Sequence, residues 1–363
     1  MKRRVYISGF NFIIPHINST DDLMSLYDGN IDKEHYTNSS GFTFDSDDPL
    51  FPSKNNLKSM RPDVIASSIC VKKLLSDSMI DQSQLEETPL YIASGQSLDN
   101  LFEQVNKMFQ EYLPNGFQDS PKQQNSRLIK ALHPLFILKS LSNAAACYIA
   151  QGSNIKGTNT TLASTSQSGF YALEMGVECI AHSENEMAIV GVSSDSGTFS
   201  DTTLQLLNKK DAIYKKGSSC VAFFILESKE SLSKRNKKPL CEIDELINPP
   251  IVPDIYSSEM PLPYSGIKNI LEKKYSFREL VLFTGGYTNE DFLKQSETVQ
   301  LFWNKSFSFF NNYHNFGTGG LLVQLAAAIT ILQKTSHTII DCIDSDPYGR
   351  ESFVSIKKCR EVL

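Results

Sequence analysis

Two stretches constrain this chain more than any others. Met187 to Val192 reads as six residues without a polar group, and Cys220 to Leu226 repeats the pattern over seven before Glu227. A strand with one wet face alternates polar and apolar residues, whereas one covered on both faces is apolar throughout. Both stretches therefore predict strands buried between layers. The segments around them supply those layers. Residues 168–182 carry Ala172, Leu173, Gly176, Val177 and Ile180 on one helical face. Leu90 to Ala93 and Glu279 to Phe283 read as further strands, and Gly317 opens a long apolar helix to about Leu332. Alternation of strand and helix with both sheet faces covered is an α/β architecture. A charged segment, 227–239, divides it into two halves, 1–235 and 236–363.

The remaining stretches are read from the same signals. Arg4 to Gly9 predicts an opening strand, and 20–28 a short helix with Thr20 or Asp21 as N-cap. Residues 29–60 are polar and predict a surface loop, and 63–78 a helix. Residues 98–111 predict another helix, 113–126 a loop, and 134–150 a helical stretch. The chain has 363 residues, enough for two halves and a sizeable core. Its net charge of −6 gives no support to binding of nucleic acid or an anionic membrane. The basic runs at 2–4 and 234–238 are short and read as solvated. Seven cysteines without CxxC spacing point away from zinc or redox chemistry and towards buried reduced thiols. The interrupted apolar start predicts a strand and no signal peptide, and no run approaches the roughly 18 residues of a membrane span. The expectation is a cytoplasmic protein without metal or cofactor.

The order of motifs resembles the β-ketoacyl synthase branch of the thiolase-like superfamily. Val5 to Gly9 is similar to the family's opening strand. Asn143 to Tyr148, then Gly157 to Gly169, are similar to the helix and strand leading to its nucleophile. Gly217 to Glu227 is similar to a following strand, Leu282 to Thr288 to the first histidine motif, and Asn312 to Gly320 to the second. Tyr348 and Gly349 fall at the C-terminal gate loop. The resemblance implies a thiolase-like fold of two similar halves, layered α-β-α-β-α.

That family's chemistry uses a cysteine at a helix N-terminus, where backbone N–H groups and the helix dipole favour thiolate and oxyanion. Two histidines assist decarboxylation. Here Ser164 to Gly169 stands where the family reads Thr-Ala-Cys-x-Ser-Gly. Ungapped counting puts Ser166 at the cysteine, and a one-residue slip puts Gln167 there. Thr284 takes the first histidine position, Phe309 that of a lysine, and His314 keeps the second histidine. The plain structural readings stand beside these. Ser166 is read as a helix cap, His314 as a core histidine, Gly317 to Gly320 as close helix packing, and Phe302 to Phe310 as core or interface.

What the resemblance implies is a chain-length factor, the ketosynthase β subunit of a type II polyketide synthase. Such a subunit pairs with an active ketosynthase α subunit as a heterodimer and walls the tunnel of the growing polyketide chain. The acyl carrier protein docks mainly on the partner. Phe136, Ile137, Leu138, Gln167 and Tyr348 are the candidate tunnel or interface residues, and residues 245–280 look shorter than in the family. Two other readings remain open. One is a stand-alone acyltransferase or decarboxylase using Ser166 or Gln167 with His314. The other is a homodimeric acyl-carrier or lipid-binding module.

Overall fold

The computed structural model describes residues 2–17, 19–29, 41–45, 48–95, 106, 110, 120, 134–164, 166–182, 184–195, 216–248, 278–284, 289–308, 314–346 and 350–359. The strands are β1 (Tyr6–Ile13), β2 (Leu90–Gly95), β3 (Asn159–Leu162), β4 (Met187–Ser194), β5 (Lys216–Gly217) and β6 (Cys220–Glu227). They continue with β7 (Cys241–Ile247), β8 (Arg278–Phe283), β9 (Trp303–Phe307), β10 (His314–Asn315), β11 (Ile339–Ser345) and β12 (Glu351–Lys357). The helices are α1 (Thr20–Tyr27), α2 (Lys54–Leu57), α3 (Pro62–Ser78), α4 (Gln82–Leu85) and α5 (Pro134–Ser140). After them come α6 (Ala144–Ser153), α7 (Ser168–Ala181), α8 (Lys229–Lys234), α9 (Asn289–Gln300) and α10 (Gly320–Lys334).

One ten-stranded sheet runs β3-β2-β4-β6-β1-β7-β12-β11-β8-β9. From its centre outward the two arms follow the same rule. β1 pairs antiparallel with β6, β6 antiparallel with β4, β4 parallel with β2, and β2 parallel with β3. β7, β12, β11, β8 and β9 repeat that series of directions. Among the described residues the two arms pair in the sheet where Tyr6 stands opposite Glu242 and Ile7 opposite Cys241. In each arm one helix leads into the third strand outward, α7 into β4 and α10 into β11, so these two helices hold equivalent places.

The apolar strands are explained by what covers them. In β6, Cys220, Ala222, Phe224 and Leu226 enter the central core, while Val221, Phe223 and Ile225 enter a second core on the opposite face with α3 and α6. β4 divides likewise between Ala188, Val190 and Val192 on one face and Met187 and Ile189 on the other. On the other arm Leu280, Leu282, Ile340 and Val354 face the same central core. Val281, Phe283, Ile343 and Phe353 face a third core with Val299 of α9. The layers are therefore α3 and α6, sheet, α7 and α10, sheet, α9. This is the α/β thiolase-like arrangement. α10 is buried from Gly320 to Leu332, as expected of a helix enclosed by two sheet faces.

Several expectations need correction. The cap of α1 is Ser19, whose hydroxyl accepts from the Asp22 N–H while the Asp22 carboxylate accepts from the Ser19 N–H. That reciprocal capping box is the stronger signal. Residues 29–60 are not all loop, since they include α2. The stretch 134–150 is two helices broken at 141–143, and the charged separator contains α8. Cys147 is exposed, because α6 turns Ala144, Ala145, Ala146 and Ile149 inward instead. Most of the helix expected at 98–111 and most of the segment at 245–280 lie outside the described residues.

Candidate functional site

β3 ends at Leu162 and a tight turn leads into α7. The Ser168 hydroxyl accepts from the Ser164 N–H at 2.9 Å and closes that turn. Gln167 is the N-cap, and its side chain does not bond the first turn. Ser166 is 1% exposed, and its Oγ has no hydrogen-bond partner among the described residues. It is therefore not a helix cap, which corrects the plain reading of this serine. The backbone enters α7 in a helical conformation at Gln167, whereas a capping side chain needs the extended conformation that precedes a helix.

The Gln167 side chain instead crosses to the other arm, where its Nε2 donates to the Arg350 carbonyl at 3.1 Å. That carbonyl also accepts from the Asp346 N–H at 2.9 Å. Arg350 returns two bonds to the Asp346 carboxylate, from its N–H at 2.9 Å and from Nε at 2.7 Å. The start of α7 is thus fastened to the connection between β11 and β12.

The start of α10 lies against the same place. Gly317 has φ +47, in the left-handed region that glycine enters without strain, and a 3-10 turn over Gly317–Gly319 leads into the helix. A Cβ on Gly169 would stand 2.8 Å from the Thr318 carbonyl oxygen, so the two helix starts touch backbone to backbone. A Cβ on Gly320 would stand 3.0 Å from the Thr284 methyl and 3.4 Å from Asp344 Oδ1. Thr284, just past β8, and Asp344, near the end of β11, therefore border the first turn of α10. Burial pushes the Asp344 carboxyl up to about 8. Thr284 draws it back and the Asp346 carboxylate raises it. At neutral pH Asp344 is mostly a neutral acid.

No thiol stands at the start of α7. A cysteine does sit beneath α10: a Cβ on Gly319 would come 2.1 Å from Cys220 Sγ. Burial raises that thiol far above its ordinary range, which leaves it protonated and inert. Of the other candidates, His314 contributes backbone to the short β10–β5 pair, and its side chain lies outside the described residues. Phe309 and Tyr348 lie outside them entirely. Phe136 and Ile137 lie in α5 with undescribed side chains, and Leu138 is exposed. The structure therefore brings together Ser166, Gln167 and Thr284, and adds Asp344, Asp346 and Arg350. Sequence reasoning missed those last three. Two aspartates within three residues at the end of an apolar strand were the available signal. Among the described residues no group of His, Cys, Asp and Glu could hold a metal ion, and no helix is long and apolar enough to cross a membrane.

The family described as "Beta-ketoacyl synthase, N-terminal domain" matches residues 7–223, more than half of the chain. The chain belongs to the β-ketoacyl synthase family. The turn into α7, β4 and the first half of β6 all fall within the matched span. Solved structures with the same fold include a type II PKS acyl-carrier protein in complex with its ketosynthase bound to the hexaketide (AntDE:AntF). That match has TM-score 0.73 and 14% identity, covering 99% of this chain and 100% of that one. The ishigamide ketosynthase/chain length factor matches with TM-score 0.72 at 13% identity, covering 99% and 100%. A β-ketoacyl synthase from Burkholderia phymatum STM815 gives 0.70 at 13%, again covering 99% and 100%. At these identities the likeness is one of fold. No curated protein matches the chain.

Proposed function

We propose that this chain is a non-catalytic ketosynthase subunit, a chain-length factor that pairs with an active ketosynthase α subunit and walls the tunnel of an aromatic polyketide. The observation that carries this reading is the start of α7. In this reading Ser166 holds the family's thiolate position, and its buried hydroxyl has no hydrogen-bond partner among the described residues. An alcohol without a general base is a poor nucleophile. Thr284 offers no imidazole beside it, and Asp344 holds its proton at neutral pH.

Pairing is supported by β3. Among the described residues it is the last strand on its side of the sheet, with Asn159 exposed and the following residues half-buried. An open edge of this kind invites another strand. The titles of two similar structures describe a ketosynthase with its carrier protein and a ketosynthase/chain length factor. Acyl carrier docking falls mainly to the partner subunit in this reading. The complex works in the cytoplasm, and the division into 1–235 and 236–363 follows the repeated strand order.

The test is co-expression with a ketosynthase that carries the active cysteine. A 1:1 complex by native mass spectrometry is expected. After incubation with an acylated carrier protein, intact mass analysis should find the acyl group on the partner alone. An adduct on this chain that Ser166→Ala abolishes would overturn the reading.

A further inference from the structure

The outer end of the second arm holds a buried charge that takes no part in the site described above. Asp341 of β11 is fully buried. Its two oxygens accept from two different strands. Oδ1 accepts from Arg278 Nη1 of β8 at 3.0 Å, and Oδ2 from Trp303 Nε1 of β9 at 2.7 Å. Arg278 and Trp303 are themselves buried. The guanidinium also lies 5.4 Å from the centre of the Phe353 ring of β12, within cation–π reach.

The Trp303 bond matters because of where β9 stands. Among the described residues β9 is the last strand on its side of the sheet and pairs with β8 alone. Asn304 and Lys305 are exposed. Trp303 is the first residue of β9, and its side chain reaches past β8 to β11. That bond holds the edge strand where it enters the sheet, beside the Arg278 N–H, which donates to the Phe302 carbonyl at 3.1 Å.

Indole and guanidinium groups donate and cannot accept. They suit a carboxylate and offer nothing to the proton of a neutral acid. The Ser355 hydroxyl stands opposite on β12, close enough to bear on the carboxyl, yet no hydrogen bond joins it to a described residue. Burial pushes the Asp341 carboxyl up to about 6. Arg278, Trp303 and Ser355 draw it back, and Asp244 of β7 adds to the rise. Cys342, next in β11, carries a thiol that burial keeps protonated. A hydrogen bond to an ionised acceptor is roughly twice as strong as one to a neutral acceptor. Protonation therefore weakens both bonds together and leaves the buried Arg278 without the Asp341 charge beside it. We infer that Asp341 is a proton-operated tie, which when ionised holds the edge strand β9 to β11 across β8 and when protonated lets the start of β9 go. The tie is closed at neutral pH and opens on acidification.

Trp303 is the only tryptophan in the chain, so its emission reports on this cluster alone. Titration of the full-length chain from pH 8 to pH 5 should change that emission in one step with its midpoint near 6. Asp341→Asn, neutral at every pH, should hold the emission at the acid value throughout. Emission that stays flat in the wild type overturns the inference, as does a step that survives in Asp341→Asn. A midpoint near 8 would assign the change to Asp344 and overturn it too. Amide exchange, corrected for its intrinsic pH dependence, tests the release of the strand. Peptides spanning 303–307 should lose about tenfold in protection between pH 7 and pH 5, with those from β4 and β6 unchanged. An emission step with unchanged protection would show a titrating group that releases nothing, and the tie would be refuted. Should Asp341→Asn fail to fold, Arg278→Lys keeps the charge but loses the planar fork. Its weaker hold on the carboxylate should move the midpoint upward, and an unmoved midpoint would overturn the part given to Arg278.

Discussion

The starts of α7 and α10 hold equivalent places in the two arms of the sheet, yet their polar groups differ in kind. At α7 the groups are small and neutral: the hydroxyl of Ser166, without a partner among the described residues, and a Gln167 amide drawn across to the Arg350 carbonyl. At α10 the helix begins on bare glycine backbone, and the polar group beside it is the buried Asp344 carboxyl, raised to about 8. Among the described residues neither place presents an activated nucleophile or a base, for a different reason at each. An alcohol without a base cannot be activated, and an acid that keeps its proton is a poor base at neutral pH. A ketosynthase needs the opposite at both places, a thiolate at one helix start and imidazole near the other.

The largest expected effect lies on the α10 side. The folded chain holds the Asp344 proton up to about pH 8, whereas an unfolded aspartate releases it near 3.8. Between those values the folded state binds one more proton, so this group makes stability fall as pH rises, by roughly 1.4 kcal/mol per unit. The loss begins above the unfolded value and levels off above the folded one. Asp344→Asn removes the dependence. Urea unfolding from pH 5 to 8 should show the variant gaining on the wild type with each unit of pH. A constant difference would mean that Asp344 is ionised in the fold.

Adding a methyl group to each helix start separates the two next. Gly169→Ala drives a Cβ against the Thr318 backbone oxygen, which cannot rotate away, and should cost about 2–3 kcal/mol. Gly320→Ala meets the Thr284 methyl, a side chain that can give way, and should cost under about 1 kcal/mol because alanine also favours the helix. Equal losses in thermal unfolding would show that the two starts are packed alike.

The smallest effect is expected at Ser166. A capping serine loses about 1 kcal/mol on replacement by alanine. A buried hydroxyl without a partner loses nothing and gains slightly, because its desolvation is uncompensated. Ser166→Ala should therefore leave the melting temperature unchanged or slightly higher. A clear drop would restore the cap, or reveal a bond that holds the hydroxyl.

The buried strands were legible because their cause is local. Met187 to Val192 and Cys220 to Leu226 are apolar at every position, and a period of two places alternate residues in two cores whatever surrounds them. The turn that opens α7 was legible too, since the family resemblance and the spacing to β4 both pointed to Ser166 and Gln167 there. The role of Ser166 was not. Whether a serine caps a helix depends on the dihedral angles at which the chain enters it, and Gln167 enters in a helical conformation.

By itself the sequence determined a covered α/β sheet in two arms and the absence of a thiol at the start of α7. The tertiary structure alone decided which polar groups meet there. Asp344, Asp346 and Arg350 lie more than 170 residues from Gln167. No period or spacing joins groups that far apart in the chain. They come together because the sheet repeats its strand order, which lays two helix starts against each other and buries whatever side chains stand at the ends of the neighbouring strands. The same burial makes Asp344 an acid that keeps its proton, a property that depends on its surroundings and not on its position in the sequence.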